Sequence, residues 1–209
     1  MAITLLQVNR QKYLKNAIEL GNVLLAMQDA DGGVHDGDRE PSKVHTEPHI
    51  DTFALFEMLH TLTGDTKWKH AADHAYRWFV KNVFSASEGI IWQGVWYGGQ
   101  HKVLAEDTYS WSMQTSAGDR MPVDALKRTV QFWLNHFLSR VTVSLPDGTT
   151  RTLVLVDFTD STTPDCRRVR QGLHAMGSVE WTGGAILALQ KNAVRFWKAG
   201  DDNMARFCK

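Results

Sequence analysis

The stretch that most limits what this chain can become is His45–Asp65, His-Thr-Glu-Pro-His-Ile-Asp-Thr-Phe-Ala-Leu-Phe-Glu-Met-Leu-His-Thr-Leu-Thr-Gly-Asp. Ile50, Phe53, Ala54, Leu55, Phe56, Met58, Leu59 and Leu62 cover most of the circumference of a helix instead of one stripe. A helix apolar nearly all round must be enclosed by other elements. Its start is marked by Thr46 as a candidate N-cap and by Pro48, whose missing N–H is no loss in a first turn. Glu47 lies near the positive end of the helix dipole. Gly64 breaks the helix and Asp65 begins another. His49 and Asp51 are set one turn in, so the sequence predicts a carboxylate carried into the interior at the mouth of a buried helix.

The pattern has echoes. Glu106-Asp107-Thr108-Tyr109-Ser110-Trp111-Ser112-Met113 repeats the order acid, Thr, aromatic at a helix head, and Glu180-Trp181-Thr182-Gly183-Gly184-Ala185-Ile186-Leu187 does so more loosely. Their spacing is that of a helical hairpin plus a loop, the range in which structural repeats occur. Amphipathic segments lie between them. Val8–Gln28, Thr66–Phe84 and Pro122–Ser139 have apolar residues at helical spacing and charges opposite, and Asn192–Lys198 and Asp201–Phe207 close the chain. The order is outer, inner, outer, inner, outer, inner, outer. Such alternation predicts an all-α fold in two concentric layers, an α/α toroid or partial toroid, as a single domain over residues 1–209. Val141–Leu145 and Arg151–Phe158, around Pro146-Asp147-Gly148-Thr149, predict a small β-hairpin. Asp29–Lys43, Glu88–Gln100 and Thr159–Gly177 read as long polar or aromatic loops.

Composition narrows the function. A formal net charge of zero argues against nucleic acid and anionic membrane surfaces as partners. No apolar run approaches a membrane span, and Met1–Lys15 reads as neither signal peptide nor anchor. The only cysteines, Cys166 and Cys208, make no disulfide framework, so the expected setting is reducing and cytoplasmic. The eight Trp residues exceed what packing asks for and suit stacking on flat ligand faces, sugar rings included.

On these residues the chain resembles the six-hairpin (α/α) toroid superfamily, which holds many glycoside hydrolases, some polysaccharide lyases and sugar epimerases. The resembling segments are Asp31-Gly32-Gly33, Glu47 to Phe56 leading into Leu62-Thr63-Gly64-Asp65, Glu106 to Trp111, and Glu180-Trp181-Thr182-Gly183-Gly184. The resemblance implies a funnel lined by inner-helix N-termini, holding a carbohydrate between carboxylates and aromatic rings. A full toroid has six inner–outer pairs and this chain supplies roughly three. Exposed flanks of inner helices would then favour self-association or a partner chain.

Glycoside hydrolysis needs two carboxyl groups. Asp51, Asp107 and Glu180 head different inner helices and are the expected catalytic acids; Glu47 and Glu106 are first-turn neighbours for which dipole compensation is an equal explanation. His49, Trp92, Trp96, Trp111 and Trp181 are the expected substrate-binding residues. His35, His45 and His49 with Asp51 match no zinc spacing, and Asp29–Glu40 has Val34 where a calcium loop needs Gly. No metal and no cofactor is therefore expected. The competing reading is a non-catalytic helical scaffold or subunit that binds a glycan or a protein. A weaker one is an isoprenoid-handling toroid, which lacks the acid motif of a protonating cyclase.

Overall fold

The computed structural model describes residues 2–37, 43–160 and 177–209. Its helices are α1 (Ala2–Val8), α2 (Arg10–Ala26), α3 (Thr46–Thr63), α4 (Thr66–Asn82), α5 (Glu106–Gln114), α6 (Ser116–Arg120), α7 (Val123–Phe137), α8 (Val179–Lys198) and α9 (Asp202–Phe207). The strands are β1 (Lys43–His45), β2 (Phe84–Ser85), β3 (Ile90–Ile91), β4 (Gly94–Trp96), β5 (Gly99–His101), β6 (Leu138–Ser144) and β7 (Thr150–Val156). Helices α3, α5 and α8 form the inner layer, α5 packing on both neighbours, and the amphipathic α2, α4 and α7 lie outside. The result is an arc of an α/α toroid.

The buried helix behaves as its composition requires. Ile50, Phe53, Leu55, Phe56 and Leu59 are all buried, and Phe56 stacks on Trp68 of α4 with ring centroids 5.8 Å apart. Gly64 ends α3 in the left-handed conformation (φ 70°), and the Asp65 carboxylate caps α4 by accepting the Lys67 N–H at 2.9 Å. Arg120 of α6 ties the two helices from the side, pairing with Glu57 and with Asp73 at 2.9 Å while lying over the Phe53 and Tyr76 rings.

Several boundaries differ from those read in the sequence. Val8 belongs to α1, because Asn9 is extended (φ −156°) and caps α2 by accepting the Lys12 N–H at 3.0 Å. The N-cap of α3 is His45, not Thr46; the Thr46 hydroxyl instead donates to the Trp92 carbonyl at 2.6 Å. Helix α8 runs without a break through Asn192–Lys198 and is not enclosed all round: Ile186, Leu187, Val194 and Trp197 stand exposed. It is the last inner helix of the arc, and α9, which packs on it, leaves these four residues uncovered. Helix α1 is a short additional inner helix, since Ile3, Leu6 and Gln7 share a cavity with Asp51, Ala54 and Met58 of α3.

All the strands gather at the end where the inner helices begin. β1 pairs with β4 and leads into α3; β5 pairs with β4 and leads toward α5; β7 bridges Ser178, the N-cap of α8. The β6–β7 hairpin runs in register from Leu138 opposite Val156 to Ser144 opposite Thr150, so its first strand starts three residues earlier than the β-branched run and its second ends two residues sooner. The loop after α2 is fixed from below: Gln28 donates its amide N–H to the carbonyls of Gly32 (3.1 Å) and Ala71 (3.0 Å). The arginines at 167, 168 and 170, Cys166 and most of the loop 159–177 lie outside the described residues. No described helix is long and apolar enough to cross a membrane.

Gly32 has φ 104°, and a Cβ there would sit 2.2 Å from the His74 carbonyl oxygen of α4, whereas Gly64 has φ 70° but open space. Gly64→Ala is expected to cost about 1 kcal/mol, the left-handed backbone term alone. Gly32→Ala should cost several times more, because backbone must move. Chemical denaturation of both variants checks the order; equal losses would mean that the loop does not bear on α4 as described.

Candidate functional site

The three inner helices deliver acids to one rim because each starts from the same end. The Glu47 and Asp107 carboxyls lie within hydrogen-bonding reach of each other. Burial pushes Glu47 up to about 7, and the charges of Asp107 and Asp51, the bond to Asp107 and the charge of Glu180 add to the rise. Burial also raises Asp107, countered by the Thr108 N–H, which donates to it at 2.7 Å, by the bond from Glu47 and by the positive field of His45. Two carboxyls this close cannot both ionise cheaply, so they hold one proton between them.

Asp51 stands one helical turn below Glu47 on α3. It is more open than the sequence suggested, exposed to solvent on one side, while burial of the other raises its pKa and the Trp111 indole N–H opposes the rise. The carboxyl that does enter the interior is Glu106. It is fully buried, accepts a hydrogen bond from the Ser110 hydroxyl at 3.2 Å, and burial, with the charge of Asp107, pushes it up to about 8. Glu180 is exposed at the head of α8, and its charge reaches Glu47.

The expected ligand-binding side chains divide. Trp111 joins Asp51 in lining a cavity of about 700 Å³ inside the arc, with Gln7 and Arg10 from the α1–α2 side, Gln114 of α5 and Lys191 of α8. Trp181 is half-buried at the head of α8, its ring 5.6 Å from Phe158. Trp92 is half-buried with the Lys102 ammonium 5.9 Å from its ring. Trp96 has one face on the His101 ring at 3.4 Å and meets the His45 ring edgewise at 5.0 Å. None of the described contacts brings Trp92 or Trp96 onto the carboxyls.

His49 is placed differently from the expectation. It is buried beneath the rim, its Nδ1 accepting the Val34 N–H at 3.3 Å and its Nε2–H donating to the Ala75 carbonyl at 2.9 Å. With both nitrogens taken by backbone it ties the loop after α2 to α3 and α4 and has no free edge for a ligand. Burial holds its pKa down at about 4, so it is a neutral ring.

A second cavity of about 500 Å³ is the one that Glu47 and Asp107 line, with His35, Asp36, His45 and Gln93. Within it His45 Nδ1 pairs with the Asp36 carboxylate, and His35 Nε2 pairs with Asp29 at 2.8 Å. The Asp29–Asp31 segment is thus used in a turn, Asp31 accepting the Gly33 N–H at 3.1 Å. Among the described residues no group of three or more His, Cys, Asp or Glu side chains could hold a metal ion.

Sequence reasoning weighed Glu47 equally as a dipole-compensating acid and gave the Asp36–His45 pair no role. The signal for Glu47 was its spacing: it precedes Asp51 by four residues, which sets both on one helix face. The Asp36–His45 contact had no signal, since it depends on how the loop after α2 folds back onto β1.

No family model and no curated protein matches this chain. Solved structures do. Unsaturated glucuronyl hydrolase from Bacillus sp. GL1, described as responsible for the degradation of glycosaminoglycan, superposes with a TM-score of 0.62 and 13% identity over 99% of this chain and 58% of its own. A UGL variant with dGlcA-Glc-Rha-Glc gives 0.63 and 12%, over 98% and 57%. A family 76 glycoside hydrolase (mannosidase) from Bacteroides thetaiotaomicron VPI-5482 gives 0.56 and 11%, over 97% and 53%. These neighbours are six-hairpin α/α toroid glycosidases, and the likeness is one of fold. The chain spans just over half of their length.

The buried acids make stability depend on pH in a defined direction. Glu106 at about 8 and Glu47 at about 7 keep protons that the unfolded chain has lost above about 4.5. Their folded-state pKa values are raised, so stability falls as pH climbs from 4.5 to 8. His49, lowered to about 4 from 6.5, acts oppositely and costs stability as pH falls through that window. Glu106→Gln should flatten the alkaline decline and stabilise the protein at pH 8 by on the order of 2–4 kcal/mol, at about 1.4 kcal/mol per pKa unit. Urea denaturation from pH 4 to 9 measures this; an unchanged slope would mean that Glu106 is not buried as a neutral acid.

Proposed function

We propose that this chain is a carbohydrate-active protein, a glycoside hydrolase in reaction class, with its chemistry at the rim formed by Glu47, Asp51, Asp107 and Glu180. What supports the reading is that Glu47 and Asp107 meet in the lining of the smaller cavity, with Glu47 pushed up to about 7, while Asp51, one turn along the same helix, lines the larger one. A group that keeps its proton near neutral pH can protonate a glycosidic oxygen as the bond breaks, and glycosidases raise a carboxyl for this purpose. Asp51, held by the Trp111 indole on the side of the larger cavity, is the second carboxylate, facing the sugar ring or its attacking water. The flat Trp111 ring in the same cavity suits the apolar face of a sugar. The fold of the neighbours supports the class, since two are hydrolases of glycans by name and the third is a UGL variant with dGlcA-Glc-Rha-Glc.

Glu47→Gln, Asp107→Asn and Asp51→Asn are nearly isosteric. Each is expected to lower kcat on a cleaved oligosaccharide by about 10²–10⁴, the usual worth of positioned proton transfer, with the thermal midpoint nearly unchanged. The wild-type kcat/KM should fall off on the alkaline side near Glu47's pKa of about 7. A screen of oligosaccharides with reducing-end detection supplies the substrate. Three fully active variants would overturn the assignment.

A second reading is glycan or protein binding without turnover, and the uncovered apolar face of α8 is the observation that favours it. It predicts glycan capture with no product. The exposed Ile186, Leu187, Val194 and Trp197 face of α8 further supports self-association, since that face would otherwise remain in water. Sedimentation at tens of micromolar, about where weak interfaces show, should give a dimer that Trp197→Glu dissociates; a wild-type monomer would count against it.

A further inference from the structure

The β4–β5 hairpin ends in a residue that its turn does not favour. Trp96 pairs with Gly99, so the loop between them has two residues, Tyr97 and Gly98, with φ 51° and 79°. A two-residue turn with positive φ at both positions is ordinarily Asn-Gly or Gly-Gly, because a bulky side chain is strained there. Among the described residues Tyr97 is the only non-glycine with positive φ. It is also 73% exposed, so no burial offsets the strain. A strained residue that adds little to the core points to contact with something outside the chain.

The hairpin beneath Tyr97 is firmly held. Lys43 stands opposite Trp96 on β1, and its ammonium lies 5.6 Å from the Trp96 ring and 5.5 Å from the Tyr97 ring, bridging the two. Trp96 is a foundation and not a platform: the His101 ring covers one face at 3.4 Å, and His45 meets it edgewise at 5.0 Å. Gln100 of β5 anchors the outer strand, its amide N–H donating at 2.7 Å to the carbonyl of Asn82, the last residue of α4. Beside Tyr97 the space is open, since a Cβ on Gly98 would meet no atom within 4 Å. The tip therefore presents one aromatic ring flanked by glycines and a cation. That is too small an apolar surface for a protein interface, and it suits the face of a single sugar ring. The same sheet leads to the smaller cavity, which His45 at the end of β1 and Gln93 just before β4 both line. From Gln93 to Tyr97 the strand covers about 13 Å at the usual rise.

We propose that Tyr97, braced by Lys43, is an outlying sugar platform: a glycan whose end occupies the smaller cavity runs out along β4 and lays the apolar face of a later ring on the Tyr97 side chain. The ligand is then a chain of several sugar units, and the contact selects for length. It makes and breaks no bond and leaves the rim acids untouched. The continuity of the sheet with the cavity lining singles out a glycan, because a ligand longer than that cavity has this strand to follow. The inference rests on the reading of the rim as a carbohydrate site, and its test reads binding instead of turnover.

The chain has four tyrosines, Tyr13, Tyr76, Tyr97 and Tyr109, so isotope labelling of tyrosine rings gives few NMR signals, and Tyr97→Phe assigns the one of interest. The probes are neutral gluco-, manno- and galacto-configured oligosaccharides, as disaccharides and as hexasaccharides long enough to cover about 13 Å. A hexasaccharide that binds the full chain is expected to shift the Tyr97 signal, and its disaccharide counterpart to leave it in place. Tyr97→Asn, which suits the turn, should raise the thermal midpoint by about 2–4 °C. The same variant should weaken hexasaccharide binding by about fivefold to tenfold, the scale of one aromatic face contact, with disaccharide binding unchanged. A merely structural tyrosine would show the gain in stability and no change in binding, which would overturn the proposal. Hexasaccharide capture with the Tyr97 shift but no product would fail the catalytic reading and leave the platform standing. Binding or cleavage of a hexasaccharide with the Tyr97 signal unmoved would overturn the platform alone. So would a signal that moves with protein concentration and not with glycan, the mark of a second copy docking there. No binding by any probe would overturn both.

Discussion

Everything in this molecule follows from the need to enclose α3. Phe53, Phe56, Ile50 and Leu59 are buried to 1% exposure or less, spread over half the helix circumference. Each is worth about 2–3 kcal/mol when taken out of water, but no single partner can cover them all. Helix α4 takes one face, α5 and α2 take others, and the remaining face is left for the cavity inside the arc. A helix with three walls and one open side is the condition for having a site at all. It also dictates where the site lies, because the open side ends at the helix N-terminus, where acids are tolerated and unpaired N–H groups point outward.

That constraint explains how two carboxyls come to share a proton. Glu47 sits in the first turn of α3, and Asp107 in the first turn of α5. The helices pack closely enough that their first turns meet. Helix dipoles favour both acids in the ionised form, whereas burial and mutual repulsion disfavour it. The balance leaves Glu47 near 7, a compromise that neither helix would produce alone.

The layer order, the buried helix and the acids at the inner-helix heads were legible because they depend on periodicity, which a sequence displays directly. What was not legible depended on contacts between distant segments. His49 looked like a rim residue because it precedes Asp51 by two positions, but two positions turn a helix by more than half a circle, and the ring points into the interior between Val34 and Ala75. Glu106 and Asp107 were separated only by which way α5 rolls on its neighbours: one became a buried neutral acid and the other half of the rim pair. The exposed side of α8 was hidden for the same reason, since an all-apolar helix and the end helix of an arc read alike until neighbours are placed.

Gly184 carries a consequence of its own. The α5 and α8 backbones approach so closely there that a Cβ would lie 3.3 Å from the Trp111 ring, and the Gln114 amide donates to the Gly184 carbonyl at 3.0 Å. Both of those side chains line the larger cavity. A residue with no side chain, meeting no ligand, therefore sets the tilt of an indole and the reach of an amide that do. Ligand preference in such an arc can drift through a helix–helix spacer, with every residue that touches the ligand unchanged.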